Sequence, residues 1–316
     1  MTVAHKSRIW FDNNEAEQLK IEAYPGGEVR VGRFAGAVRT VHAQISCPAG
    51  IQALFQVADI IRRRQVAQYG GYDGQELPGP GLLQAALPTL ELRYMPYARQ
   101  DRVDPMKEFN QAHALGIFAR QLNSMNWGKV VLWDPHSDVT PALVHNAVVV
   151  PRVDLVRTTV DHLRIRHGED LALVVPDQGA FKATMAIADE YGIETVCMGE
   201  KLRDMKTGEI TGTFVHNVQH LKGKVVLIAD DICDGGRTFT TLAEFITGKV
   251  SVKSLALYVT HGIFSKGIAD LMTMDRFNLV ACPNVFNSSN SGAGVLSCRV
   301  AGVEVNRKAN TTFFTF

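Results

Sequence analysis

Five consecutive apolar residues, Val225 to Ala229, end abruptly in two carboxylates, Asp230 and Asp231. An unbroken apolar run of that length suits a strand buried on both faces, as in a parallel sheet covered by helices. The unit recurs: the runs at 129–133 and 171–175 lead into Asp134 and Asp177. Further strands are expected at 8–11, 37–45, 90–95 and 255–259. Helical spacing of apolar residues marks 51–66, 109–123, 181–191 and 239–246. Strands alternating with helices predict an α/β fold with mainly parallel sheets, whose ligands bind at the carboxyl edge of the strands. That is where the acids of all three strands fall.

At 316 residues the chain can hold two domains, each with its own core. The boundary is expected near residue 150, giving domains 1–150 and 151–316. Residues 69–88, rich in Gly and Pro, are expected to form a long surface loop, and 284–294 a second one. Arg62-Arg63-Arg64 is expected at the solvated end of a helix.

The 33 basic and 32 acidic residues nearly cancel, so nothing points to nucleic acid or an anionic membrane as partner. No apolar run approaches a membrane span, and the first residues lack a signal-peptide core. Five cysteines without metal-site or paired spacing imply a reduced setting, so a cytoplasmic location is expected.

After Asp231 the chain runs through Asp234-Gly235-Gly236-Arg237-Thr238 into a helical stretch. A Gly-rich loop between strand and helix offers backbone N–H groups and a hydroxyl to an anion. Carboxylates repel phosphate, so Asp230 and Asp231 suit sugar hydroxyls or a metal. Together they describe a site for a phosphorylated sugar.

This stretch resembles the ribose-5-phosphate loop of type I phosphoribosyltransferases and ribose-phosphate diphosphokinases (PRPP synthetases). Pro96-Tyr97-Ala98-Arg99-Gln100-Asp101-Arg102 resembles the ATP-binding signature of the second family, which the first lacks. Asp134-Pro135-His136, Pro176-Asp177-Gln178-Gly179, Lys201-Leu202-Arg203, Tyr24-Pro25-Gly26-Gly27-Glu28 and the run from Thr260 to Ser265 also match that family's motifs in order. The sequence is thus identified as a divergent member of the ribose-phosphate diphosphokinases. The resemblance implies two phosphoribosyltransferase-type α/β domains. It assigns Glu28, Arg99, Gln100 and Asp101 to ATP, His136 and Asp177 to Mg²⁺, and Lys201 and Arg203, on a mobile loop, to the transferring group. Asp230, Asp231, Asp234, Gly235, Gly236, Arg237 and Thr238 would hold the ribose phosphate. The implied reaction moves diphosphate from ATP to a ribose, releasing AMP, in a homo-oligomer built from dimers. A phosphoribosyltransferase and an inactive regulatory homologue are the other classes.

Departures bear on the acceptor and the assembly. Arg237 and Gly235 stand where the family has a small residue and Thr, and Gly235 is expected to leave room. Pro48-Ala49-Gly50 replaces a polar segment, and 301–316 lacks a terminal amphipathic helix. Ribose 5-phosphate is the expected acceptor. The alternative is a ribose joined through a 5′-diphosphate, such as ADP-ribose, in a route to NAD.

Overall fold

Why apolar runs become neighbouring strands is plain from what covers them, and the chain does this twice. The computed structural model describes residues 7–12, 14, 17–68, 87–103, 112–203, 210–266, 277–286, 296–300, 303–308 and 311–315. Two compact units, Met1–Val150 and Pro151–Phe316, divide the chain.

In the first unit, β1 (Arg8–Phe11), β4 (Thr40–Gln44), β5 (Thr89–Leu92), β6 (Lys129–Trp133) and β7 (Ala147–Val150) form one sheet in that order. β1 runs antiparallel to β4, and the other neighbours are parallel. Alternation sends Ile9, Val41, Leu90, Leu92, Val130 and Leu132 into a core shared with Leu54 and Val57 of α1 (Pro48–Gln68) and Leu115 and Phe118 of α2 (Ala114–Ser124). The opposite parity is polar and aromatic. Trp10 stacks on its register partner His42, with ring centroids 5.3 Å apart. The Arg93 guanidinium lies 4.7 Å from the centre of the Trp10 ring and 4.8 Å from that of Trp133.

α1 begins at Pro48, three residues before the expected start, because proline suits a first helical position, where its missing N–H costs nothing. Arg62 to Arg64 lie in this helix. Arg64 is no idle solvated residue: its guanidinium donates to the Phe34 and Gly36 carbonyls and covers the Phe34 ring at 4.5 Å. β5 stops at Leu92, short of the expected 95. The expected loop at 69–88 and the start of the helix expected at 109–123 fall largely outside the described residues.

In the second unit β10 (Ile210–Val215), β9 (Thr195–Arg203), β8 (Leu171–Val175), β11 (Val225–Cys233), β12 (Ser254–Gly262) and β13 (Leu279–Ala281) lie side by side. From β9 to β13 all neighbours are parallel, so five strand ends share one edge. Both faces are buried. Val226, Ile228, Ala172 and Val174 meet Phe239, Leu242 and Ile246, whereas Val225, Leu227, Leu171 and Leu173 meet Val160, Leu163 and Ile187. The covering helices are α5 (Arg157–His167) and α6 (Phe181–Glu190) on one side and α7 (Arg237–Lys249) on the other. Beyond β13 the sheet continues through β17 (Thr311–Thr315), β16 (Val303–Lys308) and β15 (Leu296–Val300). The loop expected at 284–294 instead begins with a short strand at Asn284–Val285, which pairs with β12.

Two strands outrun their expected ends. β11 continues through Asp230 to Cys233, and β12 spans Ser254 to Gly262, because the two pair as far as Cys233 and Gly262. The acids therefore lie inside the ladder rather than after it. The loop expected to carry Lys201 and Arg203 is also corrected: both belong to β9, in antiparallel register with Thr213 and Ile210 of β10. Backbone pairing overrides side-chain periodicity there.

Candidate active site

The second unit brings the residues expected to hold a sugar phosphate to one sheet edge. Gly236 enters α7 with φ +75, a left-handed conformation that glycine adopts without strain. The Arg237 and Thr238 N–H groups that follow precede any helix carbonyl they could reach, whereas the Phe239 N–H already donates to the Gly236 carbonyl at 3.0 Å. Asp234 precedes them, and its carbonyl accepts from the Ser265 N–H at 3.1 Å. This bond, with those from Ile263 and Phe264 to the Cys233 carbonyl, straps the segment after β12 against the loop. Lys266 is thereby laid along Gly235. Its Cδ and Cε lie 3.7 Å from the point a Cβ on residue 235 would occupy. The room expected at Gly235 is therefore lined by a lysine chain.

Strand geometry alone would aim Asp230 and Asp231 to opposite faces. Asp230 instead folds back, its Oδ1 accepting from the Asp231 N–H at 2.9 Å. Both carboxylates then meet one buried guanidinium, that of Arg152 on the short helix α4 (Arg152–Leu155). Nη1 lies 3.6 Å from Asp230 Oδ1, and Nη2 3.9 Å from Asp231 Oδ1. Burial, then the Asp231 charge, push Asp230 well above the usual carboxylate range, while Arg152 pulls it down.

Asp177 follows β8, next to β11, and its Oδ1 accepts from the Gly179 N–H at 3.0 Å, capping a single turn of 3-10 helix. Lys201 and Arg203 occupy the end of β9, on the other side of β8. The β9–β10 hairpin is tied to α7 by the Thr213 hydroxyl, which meets that of Thr241 at 3.0 Å, and by Phe214 edge-on to Phe245.

In the first unit, the loops after neighbouring strands β5 and β6 carry the other expected residues. Met95 and Ala98 are buried, so the turn between them turns Arg99 and Gln100 outward. Tyr97 holds positive φ there and packs its ring 6.0 Å from Phe118. Asp101 is half-buried, with the His113 ring 3.2 Å from its carbonyl. Asp134 is buried at the end of β6, with positive φ, and His136 is exposed two residues on. Glu28 stands apart from this edge. It closes the ribbon of β2 (Ile21–Ala23) and β3 (Val29–Val31), which Gln56 of α1 pins through Val29 and Val31.

No group of three or more His, Cys, Asp or Glu side chains that could cage a metal occurs among the described residues. Single donors such as Asp177 fit a magnesium ion that takes most of its oxygens from water and substrate phosphates. Sequence reasoning missed Arg152 and Lys266. A lone arginine after a strand and a lysine in a polar run carry no local pattern, and only the tertiary placement reveals them.

Comparison with known proteins gives this arrangement a family. The phosphoribosyl transferase domain profile matches residues 157–278, the stretch that contains β11 and its loop. A ribose-phosphate pyrophosphokinase of Thermococcus kodakarensis is 32% identical over 198 residues, covering 60% of this chain and 65% of that one. The ribose-phosphate pyrophosphokinase of Pyrococcus furiosus is 31% identical over 188 residues, covering 57% and 60%. The matched stretch thus spans under two thirds of either relative. The crystal structure of phosphoribosylpyrophosphate synthetase from Mycobacterium smegmatis covers 94% of this chain and 85% of that one, with TM-score 0.65 and 19% identity. It establishes the fold, a pair of phosphoribosyltransferase-type α/β domains. Over the matched stretch the chain is similar to ribose-phosphate pyrophosphokinases, and it shares the fold of a phosphoribosylpyrophosphate synthetase.

Proposed function

We propose that this protein is a diphosphotransferase that moves the β,γ-diphosphate of ATP to the anomeric hydroxyl of ribose 5-phosphate. The anomeric oxygen bonds to the β-phosphorus, the bond from that phosphorus to the α,β-bridging oxygen breaks, AMP leaves, and the hydroxyl proton passes to solvent. The carrying observation is β11, which delivers two acids and then an anion-binding helix start at an edge shared with Asp177, Lys201 and Arg203.

The loop Asp234–Thr238, with Gly235, Gly236 and Arg237 between, holds the 5-phosphate through N–H groups. Asp230 and Asp231 accept from the ring hydroxyls and fix the anomeric oxygen for attack. Lys201 and Arg203 neutralise charge gathering on the transferring group. Arg99, Gln100, Asp101 and Glu28 bind the nucleotide. His136 and Asp177 would hold Mg²⁺, which screens the polyphosphate when bound with ATP. The enzyme works as a dimer-based homo-oligomer in the cytoplasm, on small ligands rather than nucleic acid or membrane. No helix among the described residues is long and apolar enough to cross a membrane.

Incubation with ATP, Mg²⁺ and ribose 5-phosphate, with no nucleobase present, is expected to yield AMP and a ribose 1-diphosphate in equal amounts. If the protein instead consumes ribose 1-diphosphates only when a base is added, it is a phosphoribosyltransferase.

A second reading of the acceptor is favoured by Lys266. Its chain lies along Gly235, and Arg237 follows two residues later; neither makes an ion pair among the described residues. Two such cations beside one phosphate loop suit a second phosphate, as in ADP-ribose. On this reading kcat/KM for ADP-ribose exceeds that for ribose 5-phosphate, and Arg237→Gly lowers the first by about tenfold while sparing the second. An ADP-ribose that yields no AMP with the wild type eliminates it.

A further inference from the structure

Arg152 has no place in the reaction described above, yet among the described residues it is a cation that pairs with both of the acids assigned to the sugar. Its side chain is 7% exposed, and its Nη1 also reaches the Ala229 carbonyl at 3.5 Å. One nitrogen faces each acid, at 3.6 Å and 3.9 Å. Those separations exceed hydrogen-bond length, so the pairing is electrostatic, and Asp230 Oδ1 also accepts from the Asp231 N–H at 2.9 Å. With both acids ionised, two carboxylates against one guanidinium leave one negative charge in excess, in line with the raised pKa of Asp230. An isolated buried pair of acids would relieve its repulsion by taking up a proton or by turning apart. A buried ion pair contributes little net stability, so the arrangement calls for another reason.

We propose that Arg152 is a positioning residue for the acceptor: it holds Asp230 and Asp231 side by side as a two-carboxylate clamp for a vicinal diol, and so selects ribose over a 2-deoxy sugar. The proposal rests on reading the loop after β11 as the sugar-phosphate site. The titratable and charged groups around the clamp are Asp231 and Cys233 on β11, Asp234 in the loop and Arg152 on α4. β12 adds His261, which is bonded to Asn284 at 2.9 Å. Arg152 is the cation among those that bear on Asp230.

The test uses the full-length protein, as wild type, Arg152→Met and Arg152→Lys. Calorimetry measures binding of ribose 5-phosphate, 2-deoxyribose 5-phosphate and ADP-ribose, and needs no turnover. Arg152→Met is expected to weaken the ribosyl ligands by about tenfold, to narrow the ribose-to-deoxyribose ratio several-fold and to leave ATP affinity unchanged. Arg152→Lys should recover most of the loss.

Thermal midpoints at pH 5 and pH 8 supply a second arm. Asp230 has a raised folded pKa, so stability from this group is whole in acid and is lost as pH rises. Removing Arg152 enlarges that loss, so the Met variant should fall further below wild type at pH 8 than at pH 5. A merely structural arginine would lower the midpoint equally at both. Unchanged ribosyl affinity and ratio, or an equal midpoint loss at the two pH values, overturns the proposal. Wild type that binds ribose 5-phosphate but makes no AMP would instead sink the diphosphotransferase reading and leave the clamp standing.

Discussion

The proposed sugar edge of the second unit and the proposed nucleotide edge of the first both lie at strand ends, yet they are built in opposite ways. Asp230 and Asp231 sit within a hydrogen-bonded ladder, against a buried arginine, above a sheet covered on both faces. Arg99 and Gln100 hang outward from a turn that is held by two buried side chains, Met95 and Ala98. At the first edge, binding and folding draw on the same residues. At the second they are separable, which leaves the nucleotide contacts open to change without cost to the core.

The largest expected effect lies where neither description applies, on the β9 end. Replacing Lys201 and Arg203 together with alanine should lower kcat by about a thousandfold, because each cation is asked to stabilise charge that develops only during transfer. The midpoint of unfolding should barely move. AMP release within threefold of wild type at saturating substrates would remove both residues from the chemistry.

The next pair contrasts the two edges directly. Leu242, fully buried on α7 beneath the loop, is expected to cost about 3 kcal/mol when cut to alanine and to raise the acceptor KM as the helix start shifts. Arg99→Ala should raise the ATP KM by about tenfold while changing stability by less than about 0.5 kcal/mol. Urea titration and steady-state kinetics on the two variants decide it. A large stability loss in Arg99→Ala would erase the distinction.

The smallest effect concerns Cys233 at the end of β11. Burial, with Asp230 and Asp234 nearby, pushes its thiol up to about 12. It should resist iodoacetamide at pH 8 while the half-buried Cys47 reacts, as peptide mass mapping would read out. The raised value adds stability that is whole below about pH 9 and fades between about pH 9 and pH 12. Rapid labelling of Cys233 in the folded protein would mean that the β11 end opens.

Much of this was legible in the chain because the signals were local. The runs at 129–133 and 171–175 became strands with those bounds, since a short run of branched apolar residues that stops at Asp or Pro-Asp has few other options. The loop from Asp234 to Thr238 was visible because its glycines and acids are contiguous. What escaped depends on pairing across the sheet. The extension of β11 past Ala229 is dictated by β12, and the strand character of Lys201 and Arg203 by β10. Arg152 lies 78 positions before Asp230 in sequence (230 − 152), beyond the reach of any periodicity. The acids were thus readable and their counter-charge was not.

The aromatic face of the first unit has an optical consequence. All three tryptophans, Trp10, Trp127 and Trp133, belong to residues 1–150. Excitation of indole near 295 nm (an approximate setting) therefore reports on that unit alone, and the second unit stays dark. Trp10 lies against the His42 ring and between the cations of Arg8 and Arg93. The protein thus carries an intrinsic lamp in one half, and a change in its brightness when ribose 5-phosphate binds the other half would be a direct reading of communication between them.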